Sequence, residues 1–191
     1  MKRVILASES PRRRQLLGQI GLKFQVVPSN STEDLGSSVE PHELAKSLSM
    51  EKASSVAKKH KNAVVIAADT FGVLEGRILG KPKTEGEARE MLVAMSGKTH
   101  SVITGFAILD ADDGKSVSRS VETKVRFREL TAGEIEAYVR SGEPLGKAGA
   151  YAIQGLGAVL IEKIEGDYFN VMGLPLSALA ESLKEFGIRV L

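Results

Sequence analysis

The chain has 191 residues, of which 42% are hydrophobic and 26% charged, so it carries enough apolar material for a folded core. Its 26 basic and 24 acidic residues nearly cancel, and the net charge of +2 does not demand a nucleic-acid partner. The absence of cysteine excludes disulfides, thiolate nucleophiles and cysteine-based zinc sites. No signal-peptide pattern and no apolar run near the roughly 20 residues of a membrane helix are present. We therefore expect a cytoplasmic protein with no membrane partner.

The first part of the chain predicts alternating strands and helices. A short buried strand over Val4–Ala7 leads into a helix that Ser10 caps and Pro11 begins. A second strand covers Phe24–Val27, and a second helix begins at Pro41. This βαβα order is typical of an α/β protein.

The middle of the chain adds a buried strand and a hairpin. Ala63–Ala68 is a continuous apolar run with polar ends, which predicts a buried strand that ends at Asp69 and Thr70. A hairpin is expected around Glu75–Gly76, followed by a helix over Thr84–Met95.

The second half predicts two long strands that pair through a tight turn, Thr99–Asp110 and Ser116–Glu129. A helix over Ala132–Ser141, a strand over Ala158–Ile164 and a helix over Leu176–Phe186 complete the elements. The pattern predicts a mixed α/β sheet flanked by helices. No linker-like stretch divides residues 1–191, so we expect one domain.

Three consecutive arginines follow the first predicted strand: Arg12, Arg13 and Arg14. Positively charged side chains are unfavourable at the N-terminus of a helix unless an anion offsets their charge. Backbone N–H groups at a helix N-terminus bind phosphate, and guanidinium groups match phosphate oxygens. This run, with Ser8 just before it, indicates a phosphate site, and a solvated basic helix face is the alternative.

Asp69 and Thr70 occupy the predicted carboxyl end of a buried strand, where open α/β sheets bind ligands. A carboxylate there can hold a divalent ion or accept a proton from water, or it can cap a turn. Glu33 and Asp34, in the polar loop after the second strand, are candidates for metal binding or are merely solvated.

Two glycine-containing loops could contact a nucleotide. Lys81, between Gly80 and Pro82, could meet phosphate as a point charge, although a plain surface turn fits as well. The loop Gly146–Gly155 lets backbone approach a ligand closely, and Gln154 offers the donor and acceptor that reading a base edge requires. A tight structural loop is the alternative.

Two common catalytic arrangements do not fit. Ser96–His100 has the Gly-Lys-Thr ending of a P-loop, but Leu92 stands where that motif needs glycine, and the segment leads from helix to strand. With only three histidines and no cysteine, a histidine-based triad has little support. The remaining candidates are basic side chains, a few carboxylates and the amide of Gln154. This set favours attack on the substrate by water with the help of a metal ion.

In this order along the chain, the segments resemble the Maf family of nucleotide pyrophosphatases, nearly end to end. The matching segments are Leu6–Arg13, Ala68–Thr70, Leu79–Pro82, Ser96–His100, Thr104–Gly105, Gly146–Gly149 and Gly173–Pro175. The resemblance implies two lobes around a central cleft, similar to inosine triphosphate pyrophosphatases. It also implies a homodimer.

The resemblance implies a role for each candidate residue. Asp69 is implied as the catalytic proton acceptor and, with Glu33, as a ligand of a divalent cation, Mg²⁺ or Mn²⁺. The implied reaction cuts a nucleoside triphosphate to the monophosphate and pyrophosphate. The residues implied to bind its phosphates are Ser8, Arg13, Lys52 and Lys81. From the helical pattern alone, Lys52 is expected on a solvated face.

The family divides into a branch that prefers dTTP and UTP and one that prefers 7-methylguanosine triphosphate. Arg12, Thr70 and Gln154 match the pyrimidine branch. A neutral glutamine can pair with the O4 and N3–H edge of thymine or uracil. A 5-methyl group lies away from that edge, so modified pyrimidine nucleotides are also candidate substrates.

Two other functions are open. The family name is linked to inhibition of septum formation, so a non-catalytic or dual-role regulator of cell division is the alternative. A nucleic-acid binder using Arg12–Arg14 is disfavoured because aromatic residues make up only 5% and no long basic stripe exists. We expect a house-cleaning hydrolase of nucleoside triphosphates.

Overall fold

The computed structural model describes residues 2–29 and 39–191. Its strands are β1 (Arg3–Leu6), β2 (Phe24–Val26), β3 (Ala63–Leu74), β4 (Arg77–Leu79), β5 (Thr99–Asp110), β6 (Ser116–Phe127) and β7 (Ile161–Glu165). Its α-helices are α1 (Pro11–Gln19), α2 (Pro41–Ala57), α3 (Glu85–Met95), α4 (Ala132–Arg140), α5 (Tyr168–Met172) and α6 (Leu176–Leu183). Short 3-10 turns cover Ala148–Ala150, Leu156–Leu160 and Lys184–Phe186.

The strands of the described residues form one mixed sheet. Its order is β2-β1-β3-β5-β6-β7, with β4 paired to β3. Strand β1 is parallel to β2 and β3, whereas β3 with β4 and β6 with β7 are antiparallel. Helices occupy most of the long connections between strands. The predicted class, a mixed α/β sheet flanked by helices, is confirmed.

The local signals at the start of α1 act as predicted. Ser10 is the N-cap, its hydroxyl accepts a hydrogen bond from the backbone N–H of Arg13, and Pro11 is the first helical residue. Thr84 likewise caps α3, because its hydroxyl accepts from the N–H of Glu87. These caps depend on neighbouring residues only, which is why the sequence reveals them.

Strand β3 is longer than predicted. It runs without interruption to Leu74, so Asp69 and Thr70 lie within the strand and the prediction that they end it is wrong. Phe71 beyond them is 1% exposed, and Gly72 pairs with Leu79 of β4, which extends the ladder. An aspartate inside a strand persists only when its charge has a partner.

Two further elements differ from the sequence prediction. The last strand begins at Ile161 and not at Ala158, because the preceding residues form a 3-10 turn. The short helix Tyr168–Met172 was not predicted, since five residues are too few for a recognisable apolar period.

The chain divides into two compact units. The first unit contains Met1–Asp69, Thr104–Val121 and Gly173–Leu191. The second unit contains Thr70–Ile103 and Glu122–Met172. Each has its own core, with Ile5, Val56, Val65 and Ala107 in the first unit and Leu92, Phe127, Ile135 and Tyr151 in the second. That residues 1–191 act as one domain, with a cleft, stays a prediction. Among the described helices, none has the length and apolarity to cross a membrane.

Candidate active site

In the first unit, the ends of β1 and β3 bring polar residues together. Their parallel register pairs Leu6 with Ile66, and the N–H of Ala7 donates to the Ile66 carbonyl at 2.8 Å. The first unit contains β3 only as far as Asp69. Ser8 therefore lies beside the end of this part of β3. Ser8 is 7% exposed and Asp69 is 3% exposed. Polar groups buried to this extent require hydrogen-bond partners.

Asp69 is paired with a lysine. Lys52, on α2, is itself buried, and its Nζ donates to Oδ1 of Asp69. An opposite charge at hydrogen-bond distance offsets part of the cost of burying a carboxylate. The pair gives the first unit a buried, charged carboxylate whose orientation a second charge fixes.

The expectation from the helical pattern that Lys52 is solvated is wrong. Leu44, Leu48 and Val56 are buried on α2, and Lys52 occupies the same row at a spacing of four. A cation in an apolar row points to a buried anion, because an unpaired buried charge is costly. That spacing is the signal that could have located Lys52.

A glycine brings α2 close enough for this pairing. A Cβ atom at Gly105 on β5 would stand 2.1 Å from the carbonyl oxygen of Ala45. The backbone of α2 therefore rests directly on β5, which only glycine permits. Lys52 lies about two turns further along the same helix. The Thr104–Gly105 motif is thus explained by packing beneath the lysine.

Arg13 connects the start of α1 to two other segments of the first unit. Its Nε donates to the carbonyl of Gly173 at 2.8 Å, and its Nη1 donates to Oγ of Ser8 at 3.3 Å. The structure thus brings Ser8 and Arg13 together, and their binding of phosphate stays a prediction. Arg12 lies half-buried in the same turn. The Gly173 carbonyl had no sequence signal as a partner of Arg13.

In the second unit, the loop of Lys81 is bound to the other glycine-containing loop. The N–H of Gly149 donates to the Gly80 carbonyl at 3.0 Å, and the N–H of Gly146 donates to the Pro82 carbonyl at 3.1 Å. These bonds hold the backbone on both sides of Lys81, whose side chain is exposed. The loop of Lys81 and the loop Gly146–Gly155 are therefore joined through their backbones.

The segment that carries Gln154 has irregular backbone. Gly149 and Ala150 have φ values of 68° and 60°, and Gly155 has φ of 116°. A buried alanine with positive φ is uncommon and persists only where its surroundings hold it. Gln154 is half-buried in this segment, and Thr70 is half-buried on β3.

An aromatic cluster lies beneath this segment. His100 Nε2 is 2.9 Å from the hydroxyl oxygen of Tyr151, and both rings contact Phe127 edge-on. Burial lowers the pKa of His100 to about 4 and raises that of Tyr151. Both side chains are therefore neutral near pH 7. Within the described residues, Nδ1 of His100 has no hydrogen-bond partner.

The implied metal can be tested against the chemistry of the donors. Glu33 lies outside the described residues, and residues 2–29 and 39–191 contain no group of three or more His, Cys, Asp or Glu side chains placed to hold an ion. Mg²⁺ is commonly bound through one or two carboxylates together with substrate phosphates. Asp69 supplies such a carboxylate, so the donor set fits a cation held jointly with a phosphorylated substrate.

The sheet and the charged cluster define an α/β protein that can hold a phosphorylated ligand beside a buried carboxylate. A sequence model described as Maf-like protein matches residues 3–186, and the chain belongs to this family. The predicted family membership is confirmed.

Similar proteins cover the full chain. A dTTP/UTP pyrophosphatase of Bacillus cereus is 49% identical over 190 residues, covering 100% of this chain and 93% of that protein. One from Bacillus thuringiensis subsp. konkukian is 48% identical over 190 residues, covering 100% and 98%. Among solved structures, the HAM1 protein of Coxiella burnetii has a TM-score of 0.55 at 16% identity, covering 97% of this chain and 100% of that one. The Ham1 protein of Staphylococcus aureus has a TM-score of 0.52 at 14% identity, over the same coverage. These two share the fold.

Proposed function

We propose that this protein hydrolyses dTTP and UTP to the nucleoside monophosphate and pyrophosphate. The observation that carries the proposal is the buried Lys52–Asp69 ion pair, which lies in the same unit as the hydrogen-bonded Ser8 and Arg13. Full-length relatives at 49% and 48% identity are named dTTP/UTP pyrophosphatase, which supports the same reaction class here.

In the proposed mechanism, Asp69 is the general base. Its carboxylate takes a proton from a water molecule, whose oxygen attacks the α-phosphorus. The new bond joins that oxygen to the α-phosphorus, and the bond from the α-phosphorus to the bridging oxygen breaks. Pyrophosphate leaves with the electron pair. Lys52 donates to Oδ1 and holds the carboxylate oriented for the proton transfer.

The cations are proposed to bind the triphosphate. Arg13 is held by Ser8 and the Gly173 carbonyl, so its guanidinium is oriented before the substrate arrives. Ser8 and Lys52 are proposed to contact phosphate with it. In the second unit, Lys81 is proposed to contact phosphate as a point charge on a loop fixed from both sides.

A divalent cation, Mg²⁺ or Mn²⁺, is proposed as cofactor, with Asp69 and Glu33 as its ligands. When bound, it would neutralise phosphate charge and favour departure of pyrophosphate. The hard carboxylate oxygens of these residues suit either ion.

Selection of the base is proposed to rest on Arg12, Thr70 and Gln154. An amide can accept from N3–H and donate to O4 of uracil or thymine. Nucleotides with a 5-substituted pyrimidine are candidate substrates for the same reason. A purely regulatory role in septum formation is not favoured, because a binding module has no need of a buried base and its cation.

The protein is proposed to act in the cytoplasm, where nucleoside triphosphates are made and used, and to form a homodimer. Light scattering coupled to size-exclusion chromatography measures the oligomeric state directly. A mass of twice 20.5 kDa is expected, and a monomer would contradict it.

The deciding experiment is a panel of dTTP, UTP, 5-methyl-UTP, CTP, GTP, dITP and 7-methyl-GTP, with separate detection of pyrophosphate and phosphate. We expect release of pyrophosphate from dTTP and UTP. Addition of EDTA should abolish this release, and Mg²⁺ or Mn²⁺ should restore it. Preference for 7-methyl-GTP would contradict the substrate branch. No release from any nucleotide by folded, metal-supplied protein would contradict the enzyme.

Hydrolysis in ¹⁸O-water identifies the phosphorus that is attacked. Attack at the α-phosphorus places the label in the nucleoside monophosphate, which the mechanism requires. Label in pyrophosphate would mean attack at the β-phosphorus and would rule out the geometry assigned to Asp69.

A further inference from the structure

The backbone before Gln154 is held by Tyr138, a residue of α4. The N–H of Ala152 donates to the Tyr138 hydroxyl at 3.2 Å, and that hydroxyl donates to Oε1 of Glu143 at 2.9 Å. Tyr138 is 5% exposed, so these bonds form away from water. The segment leading into Gln154 is therefore connected to a fixed side chain on a helix.

The backbone after Gln154 is held by Glu143. Its Oε2 accepts from the N–H of Leu156 at 3.0 Å, and its Oε1 accepts from the N–H of Gly157 at 2.9 Å. One carboxylate thus receives two backbone donors as well as the Tyr138 hydroxyl. We call Tyr138 and Glu143 the Tyr–Glu clamp.

Two glycines let the chain pass closely around the clamp. A Cβ atom at Gly155 would stand 2.5 Å from Oε2 of Glu143. A Cβ atom at Gly157 would stand 2.7 Å from the hydroxyl oxygen of Tyr138. At Gly157 a Cβ atom would also stand 2.5 Å from the carbonyl oxygen of Ala152, and Gly155 has φ of 116°, so both positions favour glycine. The glycines on the C-terminal side of Gln154 therefore have a specific structural reason.

The charge on Glu143 suits this role. Burial alone would raise its pKa, but the hydrogen bonds from Gly157, Leu156 and Tyr138 outweigh burial and hold the pKa below its ordinary value. The carboxylate is therefore ionised at neutral pH. Hydrogen bonds to an ionised acceptor are stronger than those between neutral groups.

We propose that Tyr138 and Glu143 are positioning residues that fix the direction of Gln154 and thereby set the selectivity for the base. The proposal rests on the proposed function, in which Gln154 reads the base edge. Glutamine is long and flexible, so its amide reads an edge reliably only if the backbone that carries it is fixed. A displacement of about 1 Å is enough to weaken a directed contact strongly.

The test compares UTP with CTP, which differ at the edge that Gln154 is proposed to read. Tyr138→Phe removes the acceptor for Ala152, and Glu143→Gln replaces one accepting oxygen by an NH₂ group. For each variant, kcat and KM are measured with both nucleotides. The ratio of the two kcat/KM values does not depend on how much of the sample is folded.

We expect the preference for UTP to fall about fivefold to tenfold, the factor that corresponds to one hydrogen bond. The fall should come mainly from KM for UTP, because the proposed catalytic pair in the first unit is unchanged. The matched control is Glu136→Gln on the same helix as Tyr138, which breaks the half-exposed ion pair with Arg89 of α3. The control should keep the wild-type preference.

A second measurement separates positioning from general support of the fold. In a Gln154→Ala background, Tyr138→Phe should change the UTP preference no further, because the side chain it positions is gone. Equal losses of preference in both backgrounds would show that Tyr138 does not act through Gln154 and would overturn the proposal.

The possible failures are distinguishable. A wild-type protein that hydrolyses no nucleotide contradicts the proposed function. A wild-type protein that hydrolyses UTP and CTP equally contradicts base selection by Gln154, and the clamp proposal with it. A selective wild type whose Tyr138→Phe and Glu143→Gln variants stay equally selective overturns the clamp alone.

Discussion

The first compact unit carries its candidate groups on regular elements, whereas the second carries Gln154 on irregular backbone. Asp69 stands on a central strand and Lys52 on a long helix, and one ion pair joins them. Gln154 lies between two 3-10 turns, where hydrogen bonds donated by the backbone to Glu143 and Tyr138 replace regular structure. A proton acceptor needs one fixed position, which regular elements provide. A residue that selects among bases can lie on a loop, whose sequence changes without loss of the sheet.

The largest expected effect comes from breaking the pair in the first unit. Asp69→Asn should lower kcat by about a thousandfold, because an amide cannot take the proton from water. Pyrophosphate release measures it. Asp110→Asn is the matched control, since it removes a carboxylate that pairs with Lys2 at 2.6 Å in the same unit. A near-normal rate for Asp69→Asn would refute the assigned base.

The next effect tests whether regular elements hold Lys52 in place. Gly105→Ala puts a Cβ atom against the Ala45 carbonyl, so α2 must shift. We expect a loss of about 3 kcal/mol in the free energy of unfolding, measured with urea, together with a lower kcat. Gly18→Ala is the control, because nothing lies within 4 Å of its new Cβ atom. Equal stability of both variants would contradict the close packing of α2.

The pH dependence of stability tests the cluster beneath the irregular segment. The pKa of His100 is about 4 in the folded protein, against an ordinary value of 6.5. Above pH 6.5, His100 is neutral in both the folded and the unfolded protein. Between pH 6.5 and about pH 4, His100 gains its proton in the unfolded protein alone. Stability therefore falls with acidification, by about 2 kcal/mol at most between pH 6.5 and 5. His100→Gln should remove this fall in urea titrations, and an unchanged slope would contradict the assignment.

The smallest effect concerns the helix that carries Tyr138. Thr131 and Glu134 form a reciprocal capping box at the start of α4. Thr131→Ala should cost about 1 kcal/mol in the free energy of unfolding while kcat stays unchanged. Thermal and urea unfolding measure the change in stability, and the nucleotide assay measures kcat. A lowered kcat would show that α4 contributes more than support for the segment of Gln154.

The parts of the fold that depend on neighbouring residues were predictable. Ser10 and Pro11 gave the start of α1, and the predicted bounds of β5, Thr99–Asp110, match the structure. The extent of β3 was not predictable, because the polar Asp69 resembles the end of a strand unless its distant partner is known. A local pattern contains no information about a charge seventeen residues away.

The candidate site likewise contains features that the sequence could reveal and features that it could not. The resemblance to a family supplied the identities of its residues, and the order of the motifs supplied the family. The contacts of Arg13 with Gly173 and of Glu143 with Gly157 join residues far apart in the chain, so no spacing rule indicates them. Lys52 was different, because its place in the apolar row of α2 was visible in the sequence.

The buried pairing of Lys52 with Asp69 also limits how this chain can evolve. Loss of either partner removes this ion pair and leaves the other charge buried, which costs about 3–5 kcal/mol, a large share of a typical domain's stability. A descendant that loses catalysis by a single replacement at either position therefore also becomes prone to unfolding. Genes that drift away from this chemistry must replace both residues together or acquire stabilising changes elsewhere first. Natural variants that keep one charge and lose the other should accordingly be rare.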